Sequence, residues 1–180
     1  MRARAAQISS TSLERLHELA SLGAQRAARA LSEFAGTSVG VGPLRAGDTV
    51  KAPPFETGIV FEVGGRLTGR LGLFLDALSR RALVRLLLDE DEPEAPAEMV
   101  ASALCELANI VASQTVSAIA DNLGGRISLS IPKLVFERAG QSFVEARAAR
   151  GGSAGALIFV SELAAPNVEL RVLLVIEPEV

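Results

Sequence analysis

Lysine, histidine and cysteine are almost missing from this sequence. Lys occurs only at Lys51 and Lys133, His only at His17 and Cys only at Cys105. A single cysteine builds no internal disulfide framework and no cysteine-based zinc site. With one histidine beside it, a self-contained transition-metal centre lacks ligands, so no metal site is expected. The arginines are scattered and the formal net charge is -3. Phosphate backbones require clustered cations, so nucleic acid is not an expected partner. The opening MRARAAQISSTSLERL has charge but no continuous apolar core, unlike a signal peptide. Glu106, Asn109 and Asp121 interrupt the longest apolar helix, so no membrane span is expected either. These absences together predict a soluble cytoplasmic protein.

What is present is apolar: 49% of 180 residues are hydrophobic, enough for one domain, or for two halves sharing one core. Leu13, Leu16, Leu19, Leu22 and Leu31 recur at helical spacing, predicting a long helix from about Ser10 to Phe34, with Gly36 placed to stop it. Strands are expected at Val39 to Leu44, Glu56 to Val63 and Arg66 to Leu75, the last two joined by a Gly64-Gly65 turn. A shorter helix fits Ser79 to Leu88 with Ser79 as its N-cap. The acidic, proline-containing stretch from Asp89 to Glu98 reads as a connector. It leads into a second long helix from about Pro96 to Leu123, ended by Gly124-Gly125, and its acids suit that helix's positive end. Three further strands follow, near Arg126 to Phe136, Ala154 to Leu163 and Val168 to Glu177. A mobile, basic loop, ARAARGGSAG, separates the first two, and a tight turn at Ala165-Pro166-Asn167 joins the last two.

The second half repeats the first. A shift of 88 positions lays Glu18 on Glu106, Leu19 on Leu107, Ala20 on Ala108, Ser21 on Asn109, Ala24 on Ala112, Ala30 on Ala118 and Gly36 on Gly124. A further one-residue gap brings Pro43 onto Pro132. The identities are modest, but the common order of helix followed by three strands is not. The expected fold is α+β: two pseudo-symmetric α-β-β-β halves, about 10–88 and 96–178, in one 1–180 domain. They would share one antiparallel sheet with both long helices packed on it.

Within the second helix, Ser102, Glu106 and Asn109 are spaced by four and three residues and so share one polar stripe. Asn is a mediocre helix former, and on a merely solvated face Lys, Arg or Gln would serve better. A carboxamide carries both acceptor and donor, and can hold a water without changing protonation state. Between Glu94 and Gly125 there is no Lys or Arg, so this helix cannot neutralise a phosphoryl group unaided. Ser102 is read as a surface residue and not a nucleophile, because no histidine in the second half would activate it. Pro132 marks a sheet edge or bulge, since it cannot donate to a ladder. His17 reads as a solvated residue and Cys105 as belonging to the buried side of its helix. Gly64-Gly65 and Gly151-Gly152 are turn glycines without the strand-loop-helix context of a phosphate loop.

The pattern Asp or Ser, three residues, Glu, two residues, Asn, twenty-two residues, Pro is met in full by Ser102, Glu106, Asn109 and Pro132. In this the chain resembles the CheC/CheX/FliY phosphatases of chemotaxis, and its duplicated layout resembles CheC more than CheX. The resemblance implies hydrolysis of the aspartyl phosphate of a CheY-like response regulator. Asn109 would orient the attacking water and Glu106 would pair with a receiver lysine. No cofactor of its own is implied, Mg²⁺ being supplied by the receiver. The first-half counterpart, Glu18 and Ser21, departs from the pattern: Glu14 stands for Asp or Ser, Ser21 for Asn, and Pro43 comes one residue early. It is read as a degenerate site. Two alternatives of the same fold are a non-catalytic module similar to the middle domain of the switch protein FliM, and an adaptor for the deamidase CheD. Because the two halves can pair their helices within one chain, a monomer is expected.

Overall fold

A computed structural model of the chain describes residues 10–47, 55–89, 91, 94–143 and 156–177. The expected basic loop at ARAARGGSAG lies outside the described residues. Helix α1 spans Ser10–Ala35, followed by the short strands β1 (Gly40–Val41) and β2 (Arg45–Gly47). The long strands β3 (Thr57–Gly65) and β4 (Thr68–Leu75) come next, then α2 (Ala77–Leu88). The second half repeats the order with α3 (Ala97–Leu123), β5 (Ile127–Leu129), β6 (Lys133–Val135), β7 (Leu157–Ala165) and β8 (Val168–Glu177).

The helix limits follow from backbone chemistry. Gly124 takes φ 68° and its N–H donates to the Ala120 carbonyl, the left-handed stop that glycine makes without strain. Gly36 takes φ 64° after α1. At α2 the expected cap is corrected. Asp76, not Ser79, is the N-cap, and its carboxylate accepts from the Ser79 N–H at 2.7 Å. The buried Ser79 hydroxyl is engaged elsewhere, accepting from the Glu169 N–H at 2.9 Å and tying α2 to β8.

All eight strands form one antiparallel sheet. Its order is β1-β7-β8-β4-β3-β5, with β2 also on β7 and β6 also on β3. The halves meet at β4 and β8, in register from Thr68↔Glu177 to Leu75↔Leu170. Each half then lends its two short strands to the other: β1 and β2 pair with β7, whereas β5 and β6 pair with β3. The glycine pair at 64 and 65 does not itself turn the chain. Gly64 stays in β3 opposite Ser128, and the turn is at Arg66 and Leu67. Gly65, at φ 96°, is required by close approach, since a Cβ there would lie 2.4 Å from the Arg126 carbonyl oxygen.

Where single strands are expected at Val39 to Leu44 and Arg126 to Phe136, each is broken in two by a bulge. Val63 pairs with Leu129 and Val60 with Lys133, so Glu62 and Phe61 oppose three residues, Ser130, Ile131 and Pro132. The other edge repeats this: Val41 pairs with Leu163 and Arg45 with Val160, leaving Gly42, Pro43 and Leu44 opposite two residues. Gly42 N–H donates to the Glu162 carbonyl at 2.8 Å, and Ser130 N–H to that of Glu62 at 2.9 Å. Pro43 is therefore the middle residue of its bulge and Pro132 the last of its own. The one-residue offset in the sequence repeat has this structural form.

One face of the sheet carries the main core, where Ile59, Phe61, Leu71, Leu73, Leu170 and Leu174 meet Leu104, Leu107, Ala108 and Val111 of α3 and Ala27, Ala28 and Leu31 of α1. Arg26 of α1 and Asp121 of α3 bridge the two helices at 2.7 Å. Both side chains are largely exposed, so the pair contributes at most about 1 kcal/mol. The opposite face holds a smaller core of Phe55, Phe74, Phe143, Ile158 and Leu173. There Arg70 lies 4.8 Å over Phe143 and Arg171 4.9 Å over Phe55. These stacked cations sit at matching places in β4 and β8, each opposite a glutamate.

The expectation that no segment approaches a membrane span is corrected by α3. It is long and apolar enough to cross a membrane by length and composition. Its apolarity has another cause: Val100, Leu104, Leu107, Ala108, Val111, Ala112, Val116 and Ile119 are all buried in the protein. A helix placed over a sheet and beside another helix is apolar around most of its girth.

Candidate functional site

Ser102 and Glu106 are exposed on α3, and Asn109 is half-buried on the flank of the same stripe. Neither the Glu106 carboxylate nor the Asn109 carboxamide has a hydrogen-bond or ion-pair partner among the described residues. Both are thus available to something outside the chain. The helix presents no Lys or Arg over its whole length, Ala97–Leu123.

Geometry relates Asn109 to the bulge at the sheet edge. Asp121 reaches towards α1 through Arg26. Asn109 lies twelve positions earlier, about 120° around the helix, on the flank away from α1. The edge strands β5 and β6 also pack against α3. From Asn109 to the stop at Gly124 the helix rises about 22 Å, and from Gly125 the strand covers about 23 Å before Pro132. The bulge therefore returns to about the height of Asn109 along the helix axis. The twenty-two-residue interval between Asn109 and Pro132 is the length needed to go up one element and back down the other.

In the first half, Glu14 and Glu18 are exposed and Ser21 is half-buried, the same accessibility as Ser102, Glu106 and Asn109. The buried set of α1, including Leu19, Ala20, Ala24, Ala27, Ala28 and Leu31, maps by 88 positions onto buried residues of α3. Only Ala24, Ala20 and Leu19 keep their identity among these, so packing geometry is retained more faithfully than sequence. His17 is exposed, with its ring 6.4 Å from that of Phe159. Cys105 is half-buried, not wholly inward, and burial pushes its thiol up from the ordinary range. Among the described residues, no group of three or more His, Cys, Asp or Glu is placed to hold a metal. An open cleft of about 420 Å³ between α2 and the β7–β8 turn is lined by Arg81, Arg85, Asp91 and Asn167 and includes none of the motif residues.

Residues 57–149 match the sequence model of the chemotaxis phosphatase CheX. This chain belongs to the CheX family. The matched segment holds Ser102, Glu106, Asn109 and Pro132 and leaves out Glu18, Ser21 and Pro43. A search of curated proteins gives no match. Among solved structures, a CheX from Desulfovibrio desulfuricans superposes with a TM-score of 0.68 at 15% identity, covering 89% of this chain and 99% of that one. The CheX of Borrelia burgdorferi, solved as a CheX–CheY–BeF₃–Mg²⁺ complex, gives 0.65 at 16% identity over 88% and 97%. FliY of Thermotoga maritima gives 0.66 at 18% identity over 92% and 90%. These likenesses share the α+β fold with this CheX-family chain. CheX and CheC-like structures occur side by side among the matches, so the comparisons do not single out CheC.

Sequence reasoning located the helix stripe and read Pro132 as an edge or bulge residue. It did not anticipate the register step between β5 and β6. The available signal was the Ser130-Ile131-Pro132 interruption within an otherwise alternating strand.

Proposed function

We propose that this chain hydrolyses the aspartyl phosphate of a CheY-like receiver in the cytoplasm and so ends its signal. The observation carrying this reading is the unpartnered Glu106 and Asn109 pair on the exposed flank of a cation-free helix. Membership of a phosphatase family supports it, as does a relative solved in complex with CheY. In the reaction, the oxygen of a water attacks phosphorus and the bond from phosphorus to the aspartyl oxygen breaks, leaving a carboxylate and inorganic phosphate. Asn109 holds that water in line, its carboxamide oxygen accepting one water proton and its NH₂ left to donate to the phosphoryl surroundings. Glu106 offers a carboxylate to a receiver cation and sets the docking angle. Charge neutralisation comes from the receiver's Mg²⁺ and lysine, since α3 has neither. Positioning of this sort supplies several of the roughly 7–11 kcal/mol available from orientation.

Phosphate release from phosphorylated receivers of the same organism, with and without this chain, tests the reading. No stimulation of any receiver would end it. Glu106→Ala is expected to raise the receiver concentration for half-maximal rate about tenfold, consistent with loss of a docking ion pair. Saturation curves measure this, and an unchanged curve would remove Glu106 from the interface. Ser21→Ala is expected to leave the rate within twofold of the unmodified chain, because a hydroxyl cannot replace the amide. Loss of activity on that substitution would place the working site on α1.

A further inference from the structure

We propose that Ile131 is an apolar anchor for the receiver, a role that rests on the phosphatase reading above. Ile131 is 87% exposed, the most exposed large hydrophobic side chain among the described residues. A lone exposed apolar residue needs no explanation in itself, but this one is held in place. The Ser130 N–H donates to the Glu62 carbonyl and the Glu62 N–H donates to the Ser130 hydroxyl, both at 2.9 Å. The same hydroxyl donates to the Ile131 carbonyl at 3.0 Å. Pro132 then fixes the following φ. An anchor already ordered loses little conformational freedom when a partner covers it.

Protection of the sheet edge does not account for the side chain. The bulge and Pro132 already interrupt the ladder there, and a polar residue at 131 would do so equally well. Neighbouring apolar residues are turned inward: Leu129 and Leu134 pack against the helix-side core. The other edge gives the internal comparison. Its bulge has Pro43 where this one has Ile131, and the one leucine there, Leu44, is half-buried against the core. Val41, beside the first-edge bulge, is 40% exposed against 87% for Ile131, so the strongly exposed side chain stands in the half that carries Asn109. Ile131 stands between β5 and β6, the edge strands on which α3 packs, and the lengths of helix and strand put it at about the height of Asn109 along the helix axis. On this proposal a receiver seated over Asn109 also covers Ile131, and no second partner is required.

The test is initial-rate phosphate release over a range of phosphorylated receiver concentrations for the full chain, Ile131→Ser and the control Leu78→Ser. Leu78 is 73% exposed on α2, away from the site. Ile131→Ser is expected to raise the half-saturating receiver concentration about tenfold. The saturated rate and the thermal midpoint should stay close to those of the unmodified chain. Leu78→Ser is expected to shift neither parameter. An unchanged half-saturation in Ile131→Ser overturns the anchor while leaving the phosphatase reading intact. A shift accompanied by a lowered thermal midpoint also overturns it, assigning the residue to the fold. If the unmodified chain hydrolyses no phosphorylated receiver, the phosphatase reading falls and the anchor with it.

Discussion

Asn109→Ala is expected to lower receiver-stimulated phosphate release on the order of a hundredfold, with the fold unchanged. Of the Glu106 and Asn109 pair, only the Asn109 carboxamide can accept from a water and still keep a donor free, and alanine retains neither. Because the side chain is half-buried at the flank and bonds no described residue, its removal leaves no orphaned partner in the protein. Alanine is also the better helix former. The loss should therefore appear in the rate at saturating receiver, with thermal unfolding unaltered. Single-turnover phosphate release separates the two. Retained turnover in this variant would mean that water is positioned by another group, and the assignment of Asn109 would fail.

The second large effect concerns the join between the halves. Gly69→Ala is expected to destabilise the chain by about 3 kcal/mol or more, the range of serious core overpacking. A Cβ at this position would lie 1.9 Å from the carbonyl oxygen of Val175 on the neighbouring strand. That oxygen is main chain, so relief requires β4 and β8 to part, and these two strands form the longest ladder between the halves. Thermal unfolding should show a midpoint lower by roughly 6–12 °C, given 2–4 °C per kcal/mol for a domain of this size. A shift under 2 °C would show that the central ladder adjusts freely at Gly69.

How much of this was legible beforehand depended on the distance over which each signal acts. Helix α3 could be delimited almost to the residue, because Pro96 and Gly124 act on their own backbone. The site stripe was readable for the same reason, since Ser102, Glu106 and Asn109 belong to one helix and need no tertiary partner to share a face. Asp76 was overlooked as a cap in favour of Ser79, although both are good capping types. Choosing between them requires the bond from Glu169, ninety residues away, that engages the Ser79 hydroxyl. The bulges were hidden likewise. Sequence alternation can report that a strand is disturbed near Pro132, but the step in register exists only relative to β3. Length and mean hydropathy alone would pass α3 as a span, whereas its apolar residues are the ones buried against the sheet and α1.

The exchange of short strands between the halves also sets a timetable for folding. Strand β2 finds its partner on β7, and the contact between Arg45 and Glu162 spans 117 positions. On a ribosome adding about 5–20 residues per second, the first edge must wait several seconds after its own synthesis for that partner. For the first part of this interval α1 has its apolar side uncovered, because α3 is not yet made, and β7 follows later still. Such long-range closure slows folding and favours capture by a neighbouring nascent chain. The proline interrupting the first edge then has a kinetic use: a strand broken at Pro43 is a poor template for the wrong chain while the right one is still being made.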